Sequence, residues 1–224
     1  TSSAYDTSYN GGIPNNLSNG LGANYTNGSD IFVSHLSTNG SSLLGSTFIG
    51  GSGNDGLNST SDIATNNTLR YNYADEIRGE IEIDNNNNIY IASCTQSTDF
   101  PVSPNAFQPN YGGGDIDGCI VKLDNNLENI IWSSYLGGDL HDAIYSLALD
   151  PNQDIYVTGG TSSTTFPFSP NVYQTTNQGG RSDGFVTHLS SGGQQILHST
   201  YFGSSTYDQS YFVETDRNSN VYLL

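Results

Sequence analysis

Three aspartates at equivalent positions in Gly- and Ser-rich links are the residues whose type and spacing best suit metal binding. They are Asp55, Asp142 and Asp208, which end the links GGSGND, GGDLHD and GSSTYD at 50–55, 137–142 and 203–208. Carboxylates and backbone carbonyls supply the oxygen ligands that Ca²⁺ prefers. If the links converge at the mouth of one channel, the three aspartates form a calcium site. In the alternative interpretation, each aspartate caps its own turn by accepting hydrogen bonds from backbone N–H groups.

Three other Asp- and Asn-rich segments are similar to the start of an EF-hand calcium loop. They lie at 84–88, 150–154 and 216–220. An EF-hand loop needs Gly at its sixth position and Glu at its twelfth, and the middle segment has Ile155 and Thr161 there. These segments are therefore predicted to be hairpin turns rather than metal sites.

Catalytic groups do not converge in the sequence. Glu80 and Glu82 have the alternate spacing that places both carboxylates on one face of a strand, an arrangement that suits glycoside hydrolysis. Their counterparts one repeat later are Ser146 and Ala148, so the acidic pair does not recur. The four histidines have no His or Cys partner at metal-ligand spacing, and no Gly-x-Ser-x-Gly elbow occurs. We therefore assign no catalytic residue and expect no enzymatic activity.

Aromatic side chains in the long loops are the candidates for binding a ligand. Tyr111, Tyr173 and Tyr207 stand in Gly-, Asn- and Ser-rich segments, where their rings could stack on sugars. The alternative is that each ring pins its loop onto the neighbouring strands.

A repeat of 66 residues determines where these groups lie. The same residue types recur 66 positions apart in the pairs Asp117 and Asp183, Leu123 and Leu189, and Tyr135 and Tyr201. Further upstream, Asp30 lies 87 rather than 66 positions before Asp117, so an insertion falls between Asp55 and Glu76. A second insertion falls between Gly12 and Asp30. Both insertions are expected to lie between apolar runs rather than within them.

Twelve short apolar runs are predicted as strands, because turn residues bound each run and no helical periodicity is sustained. They are Ile31–Leu36, Leu43–Gly50, Ile77–Ile83, Ile89–Ser93, Cys119–Leu123, Ile130–Leu136, Ile144–Leu149, Ile155–Thr158, Phe185–Leu189, Ile196–Phe202, Ser210–Thr215 and Val221–Leu224. Regular spacing in sets of four predicts an all-β fold, a β-propeller of four-stranded antiparallel blades. A parallel β-helix is the alternative, although its rungs are shorter and lack such tight hairpin turns.

The register of the repeat divides residues 1–224 within one propeller domain. We predict an outer half-blade with long loop insertions at 1–75, whole blades at 76–138 and 142–203, and an inner half-blade at 208–224. In an antiparallel meander the hairpin turns lie on one face, and the long loops, the links and both insertions lie on the other. The second face is therefore predicted to be a binding surface, unless the loops only cap the blades.

The composition limits the kinds of partner. The net charge is −17 with one lysine, and such an acidic surface repels phosphate backbones and anionic lipid. No apolar run approaches the length of a membrane helix, so neither nucleic-acid binding nor membrane insertion is expected. Cys94 and Cys119 occupy different repeat positions, and they could form a disulfide or remain as two packed thiols.

Several motifs together resemble a known family of repeats. They are GFVTHL at 184–189, STYFG at 199–203, the Asp-x-Asn-x-Asn-Val-Tyr hairpin at 216–222 and TSSTTFPFSP at 161–170. They are similar to the bacterial β-propeller repeats of SBBP type, found in large secreted and surface proteins and frequent in Bacteroidetes. The resemblance implies that the run before each Asp-initiated turn, such as Ile144–Leu149, lines a central channel.

The same resemblance implies a function and a location. We expect a non-catalytic extracellular or bacterial cell-surface module with adhesive, structural or protein-interaction roles, linked to type IX secretion and gliding motility. Its partners would then be other surface proteins, secretion machinery or glycans. A carbohydrate-binding module that uses the loop-rich face is the alternative, and a glycan-active enzyme is the third hypothesis. No cofactor is expected beyond the calcium considered above.

Overall fold

The computed structural model describes residues 1–16, 24–59, 69–70 and 75–224. These residues form one short 3₁₀ helix, Asp75–Ile77, and fourteen strands. The strands are β1 Asn15–Asn16, β2 Asn24–Tyr25, β3 Ile31–Leu36, β4 Leu43–Ile49, β5 Glu80–Ile83, β6 Ile89–Thr95, β7 Asp117–Leu123, β8 Ile130–Leu136, β9 Asp142–Leu149, β10 Ile155–Thr161, β11 Asp183–Leu189, β12 Ile196–Phe202, β13 Val213–Thr215 and β14 Val221–Leu223.

The strands form antiparallel sheets in the order predicted for propeller blades. Two sheets have four strands, β5-β6-β7-β8 and β9-β10-β11-β12. Two further sheets have two strands each, β3-β4 before the whole blades and β13-β14 after them, and β1-β2 is a minor pair. The predicted fold class is therefore confirmed: the chain is a partial β-propeller with two whole blades and two half-blades. We call these, in chain order, blade A (β3-β4), blade B, blade C and blade D (β13-β14).

Asp-initiated turns connect the paired strands. Asp150 Oδ1 accepts hydrogen bonds from the backbone N–H groups of Asn152 and Asp154, at 2.8 and 2.9 Å. Gln153 adopts a left-handed φ of 67°, which a tight turn of this kind requires. The turns at Asp84 and Asp216 use the same bonds. These segments lie where the sequence predicts hairpin turns.

Neighbouring blades pack face to face around two equivalent cores. In the first, Val33 and Ile49 of blade A contact blade B residues that include Ile91 and Leu123. In the second, blade B contributes Tyr90, Ala92, Ile120, Trp132 and Leu136, which contact Ile144, Leu147, Val157, Phe185, Leu189 and Tyr201 of blade C. Because Ile120 and Leu136 follow Val33 and Ile49 by the 87-residue offset, the same joint is built twice.

One position of each joint combines a large residue with a glycine. At the joint of blades B and C, Trp132 lies against Gly193, where an added Cβ would come within 2.2 Å of the indole ring. At the joint of blades A and B the sizes are reversed. There Gly45 stands at the position of Trp132, and Leu127, at the position of Gly193, fills the space 3.5 Å from an ideal Cβ on Gly45.

The Phe-Pro loops lie along the outer edge of each blade. Ser103 N donates to Ser133 O of β8 at 3.0 Å, and Tyr135 N of β8 donates to Gln108 O at 3.3 Å. The loop after β10 covers β12 in the same way, and residues 1–9 cover β4. Each loop therefore supplies the hydrogen bonds that an exposed edge strand would lack. Capping of the strand edges is thus the alternative to the binding role predicted for these loops on the loop-rich face.

The structure differs from the predicted strands at the insertion before blade B. Asp55 forms a bridge with Thr95, as Asp142 pairs with Thr161 in blade C, and β5 resumes only at Glu80. The insertion therefore interrupts the innermost strand instead of preceding it, and the run predicted from Ile77 begins as a 3₁₀ helix. Residues 60–68 and 71–74 of this insertion, and 17–23 of the other, lie outside the described residues.

Two smaller points concern the cysteines and the membrane. Cys94 and Cys119 are both buried and free, because they face different cores. Burial raises the pKa of the Cys94 thiol to about 12. Across the part of the chain that the structure describes, no helix has the length and apolar character to span a membrane.

Candidate functional site

The aspartate that ends each link is held by hydrogen-bond donors. Asp55 Oδ2 accepts from the backbone N–H of Gly51 at 2.9 Å and from the hydroxyl of Ser97 at 2.8 Å. Its Oδ1 accepts from the hydroxyl of Thr95. The carboxyl group thereby connects the link to the end of β6, the second strand of its own blade.

Asp142 repeats this arrangement at the joint of blades B and C. Its Oδ2 accepts from the Gly138 N–H at 2.7 Å and from the Ser163 hydroxyl at 2.8 Å. Asp208 is only half-buried, and its Oδ2 accepts from the backbone N–H and the hydroxyl of Ser204, both at 2.7 Å. All three aspartates therefore cap their links.

A second aspartate faces the first across a glycine at the joints of blades A and B and of blades B and C; Asp117 is buried and Asp30 is half-buried. A Cβ on Gly137 would lie 2.3 Å from Asp117 Oδ1 and 3.0 Å from Asp142 Oδ2. A Cβ on Gly50 would lie 2.9 Å from Asp30 Oδ1 and 2.7 Å from Asp55 Oδ2. The joint is thus an Asp-Gly-Asp cluster that excludes any side chain at the glycine.

The second aspartate of each cluster was missed as a candidate from the sequence. Asp30, Asp117 and Asp183 served only to define the repeat, although they recur at the same intervals as the aspartates of the links. The sequence signal for these aspartates is a glycine that directly follows a strand. Gly50, Gly137 and Gly203 occupy this position, and an ideal Cβ on each would contact one of these aspartates.

Burial shifts the acidity of these groups strongly. Desolvation raises the pKa of Asp55 and of Asp142 to about 7, in spite of the hydrogen bonds that they accept. Desolvation, with a smaller contribution from the nearby charge of Asp142, raises the pKa of Asp117 to about 8. Near neutral pH these buried carboxyl groups therefore carry protons that exposed carboxyl groups have lost.

The geometry does not bring the predicted calcium ligands together. Asp55, Asp142 and Asp208 lie at three separate joints. Within residues 1–16, 24–59, 69–70 and 75–224, no group of three His, Cys, Asp or Glu side chains is placed to hold a metal ion. The oxygens of Asp55 already accept from N–H and O–H donors, which occupy the directions that a cation would need. The calcium site stays a prediction without support from this arrangement.

The three candidate tyrosines have different surroundings. Tyr111 packs edge-on against Tyr135, with ring centroids 5.6 Å apart, and desolvation raises the pKa of its hydroxyl. Tyr207 is half-buried. Tyr173 is 76% exposed, and its ring centroid lies 5.9 Å from that of Phe202. Of the three, Tyr173 alone presents most of its ring to solvent.

The predicted acidic pair lies on one face of β5. Glu80 and Glu82 are half-buried, whereas Ile81 and Ile83 between and beside them are exposed. Burial raises the pKa of Glu82, and the charges of Glu80 and Glu214 add to this effect. Glu214 is on β13, so these acids belong to the innermost strands of different blades.

The fold and its repeated joints define a propeller built from tandem sequence repeats. Residues 131–167 match the family model described as SBBP, β-propeller repeat. This segment begins in β8, passes through the joint at Asp142 and ends in the Phe-Pro loop after β10. The chain therefore carries a repeat of this family, and the resemblance inferred from the sequence is confirmed there. No curated protein matches the chain.

Proposed function

We propose that this chain is a non-catalytic module of an extracellular or cell-surface protein, and that it serves adhesion, structure or protein interaction. The main support for this proposal is that the aspartates at the joints are engaged in hydrogen bonds within the fold. Asp55 and Asp142 accept hydrogen bonds from their own links and from the end of a neighbouring strand. Their partners Asp30 and Asp117 accept from backbone N–H groups of the preceding loops. The polar residues of the repeat therefore serve to hold the blades together.

The proposal is tested by a binding and activity comparison. The purified chain is assayed for hydrolysis of a panel of glycans and peptides, and for adhesion of coated beads to bacterial surfaces and to itself. Adhesion without turnover supports the module. Hydrolysis that disappears in Glu80→Gln/Glu82→Gln, with the unfolding temperature unchanged, would instead establish an enzyme.

Carbohydrate binding is the second candidate, and the exposure of Tyr173 favours it. A bare aromatic ring beside Phe202 offers a flat apolar surface of the kind on which sugar rings stack. Glycan-array binding that is lost in Tyr173→Ala and retained in Tyr111→Phe would support this function. Binding that is indifferent to Tyr173 would count against it.

A further inference from the structure

The insertion before blade B is largely buried where the structure describes it. We call its described residues, 56–59, 69–70 and 75–78, the strap. Asn58, Leu69 and Asp75 are each at most 2% exposed, although this stretch of the sequence is polar and rich in Asn and Thr. Polar side chains at such depth need hydrogen-bond partners, so the strap is held by groups within the fold. A loop that offers itself to a ligand would instead expose these groups.

The start of the strap is tied to blade B. The backbone N–H of Gly56 donates to Cys94 O of β6 at 2.8 Å. Gln96, which directly follows β6, donates through Nε2 to Leu57 O at 3.1 Å and to Ser59 O at 2.7 Å. These bonds hold the strap against the blade that it precedes in the sequence.

The strap reaches blade C through the hydroxyl of Tyr145. This residue lies on β9 and is 3% exposed. Its hydroxyl donates to Leu69 O at 3.1 Å and accepts from Asn58 Nδ2 at 3.2 Å. Desolvation raises the pKa of this hydroxyl well above its usual value, so it keeps the proton that it donates. Leu69 also lies beside Gly160 of β10, where an ideal Cβ would be 3.0 Å from Leu69 Cδ2, so the glycine leaves room for the strap.

The strap also contacts the segment that leads into blade D. Gln209 Nε2 donates to the Tyr145 hydroxyl at 3.0 Å, and Gln209 Oε1 accepts from the Tyr211 hydroxyl at 2.6 Å. The rings of Tyr145 and Tyr211 stack with centroids 5.5 Å apart. Arg78 Cζ lies 4.4 Å from the Tyr211 ring centroid, and Arg78 Nε donates to Asp75 Oδ1 at 3.2 Å. The Tyr211 hydroxyl is 3.5 Å from Asp75 Oδ2, so residues 136 positions apart in the sequence meet here.

The repeat shows which group the strap replaces. Tyr145 and Tyr211 occupy equivalent positions, 66 residues apart, and the same position before β5 of blade B is Gly79. Blade B therefore lacks the tyrosine that blades C and D place there. The guanidinium of Arg78, next to this glycine, lies over the Tyr211 ring instead, at a distance that suits a cation–π interaction. The strap thus completes a cluster that the tyrosines alone would leave open on the side of blade B.

We propose that the strap is a conformational device that couples blade D to blade B across blade C. In an array of repeats each unit ordinarily contacts only its neighbours, so the opening of one unit is felt most by the next. The strap adds a contact that spans three blades. Loosening the strap should therefore loosen the segment that leads into blade D, even though that segment is distant in the sequence.

Hydrogen exchange followed by mass spectrometry tests this coupling at the amides of residues 208–215. Leu69→Ala removes a buried side chain from the strap, and these amides should exchange faster by about tenfold or more. Leu127→Ala is the matched control, since it truncates a fully buried leucine in the core between blades A and B, separate from the cluster that holds Leu69. It should change exchange at 208–215 by less than about twofold. The proposal fails if Leu69→Ala has no effect there, or if both variants accelerate exchange equally.

Tyr145→Phe gives a milder variant that decides the question if Leu69→Ala does not fold. It keeps the aromatic ring and removes only the hydroxyl that joins the strap to blade C. Exchange at 208–215 should rise by about threefold or more. Tyr201→Phe is its control, because the Tyr201 hydroxyl is also buried in blade C but donates to Ser163 O, at 3.1 Å. Equal exchange at 208–215 in the two tyrosine variants would overturn the proposal. The inference does not rest on the adhesive role proposed above, since exchange is measured on the chain alone.

Discussion

Exchanging side-chain sizes at the joint of blades B and C should reveal how tightly the joint is matched. Gly193 adopts a φ of 65°, and a Cβ there would lie 2.2 Å from the Trp132 ring, closer than any real contact. Gly193→Leu therefore displaces the indole. Leu127 stands at the equivalent position with a φ of 63°, so the backbone itself accepts leucine there.

The magnitudes follow from burial and overpacking. Trp132→Ala should cost about 3–5 kcal/mol, because a buried aromatic side chain is lost. Gly193→Leu should cost about 1–3 kcal/mol or more through overpacking. In Trp132→Ala/Gly193→Leu, leucine occupies part of the vacated space, as Leu127 does beside Gly45. We expect the double variant to lose clearly less than the two single variants together, with a coupling free energy of about 2 kcal/mol or more.

Guanidinium unfolding followed by far-UV circular dichroism measures this cycle. The chain has a single Trp, so tryptophan fluorescence could not follow all four proteins. Protein concentration is held fixed, because association would shift the midpoint. Gly40→Leu is the matched control, since Gly40 also has a left-handed φ, of 70°, and an ideal Cβ there meets nothing within 4 Å. Equal losses for Gly40→Leu and Gly193→Leu, or a coupling within about 0.5 kcal/mol of zero, would refute the reasoning.

Three further predictions concern the buried polar groups. Stability should fall as the pH rises from about 4 to about 7, because folded Asp142 has a pKa near 7 and keeps a proton that the unfolded chain has lost. Thermal unfolding should be less pH-dependent in Asp142→Asn, and an unchanged pH profile would contradict this prediction. Gly137→Ala should lower the unfolding free energy by about 1–3 kcal/mol through contact with the paired carboxyl groups, and a neutral result in urea unfolding would show that the joint adapts. Tyr135→Phe should lower the unfolding free energy by about 1–3 kcal/mol in the same assay. The Tyr135 hydroxyl donates to Ser97 O at 2.8 Å and accepts from Phe100 N at 3.0 Å, and the variant loses both bonds. No loss of stability would mean that water replaces the hydroxyl.

The repeat made the fold predictable. A spacing of 66 residues, lengthened to 87 by the insertion before blade B, identifies which strand is equivalent to which, and pairing in one blade then applies to the next. The half-blades at the two ends follow from the same register. The interrupted innermost strand of blade B was not predictable, because only the tertiary bridge of Asp55 to Thr95 shows that the strand begins before the insertion.

The candidate site was harder to predict for physical reasons. The sequence shows that Asp142 and Asp117 recur, but their approach to the same glycine depends on how β7 and the link meet in space. The path of the Phe-Pro loops was also hidden, because Ser103 and Ser133 bond across 30 positions without any alternation of apolar residues. Exposure of Tyr173 could not be read from composition, since it depends on whether an adjoining blade covers its ring.

The reversed sizes at the two joints restrict how such a chain can grow by duplication. A tandem copy of blade B would place Trp132 opposite another Leu127, where two large side chains compete for one space. A tandem copy of blade C would place His198 opposite Gly193 without conflict. Blades are therefore not interchangeable parts: a new blade can enter the array only beside a neighbour whose residue at this position leaves room for it.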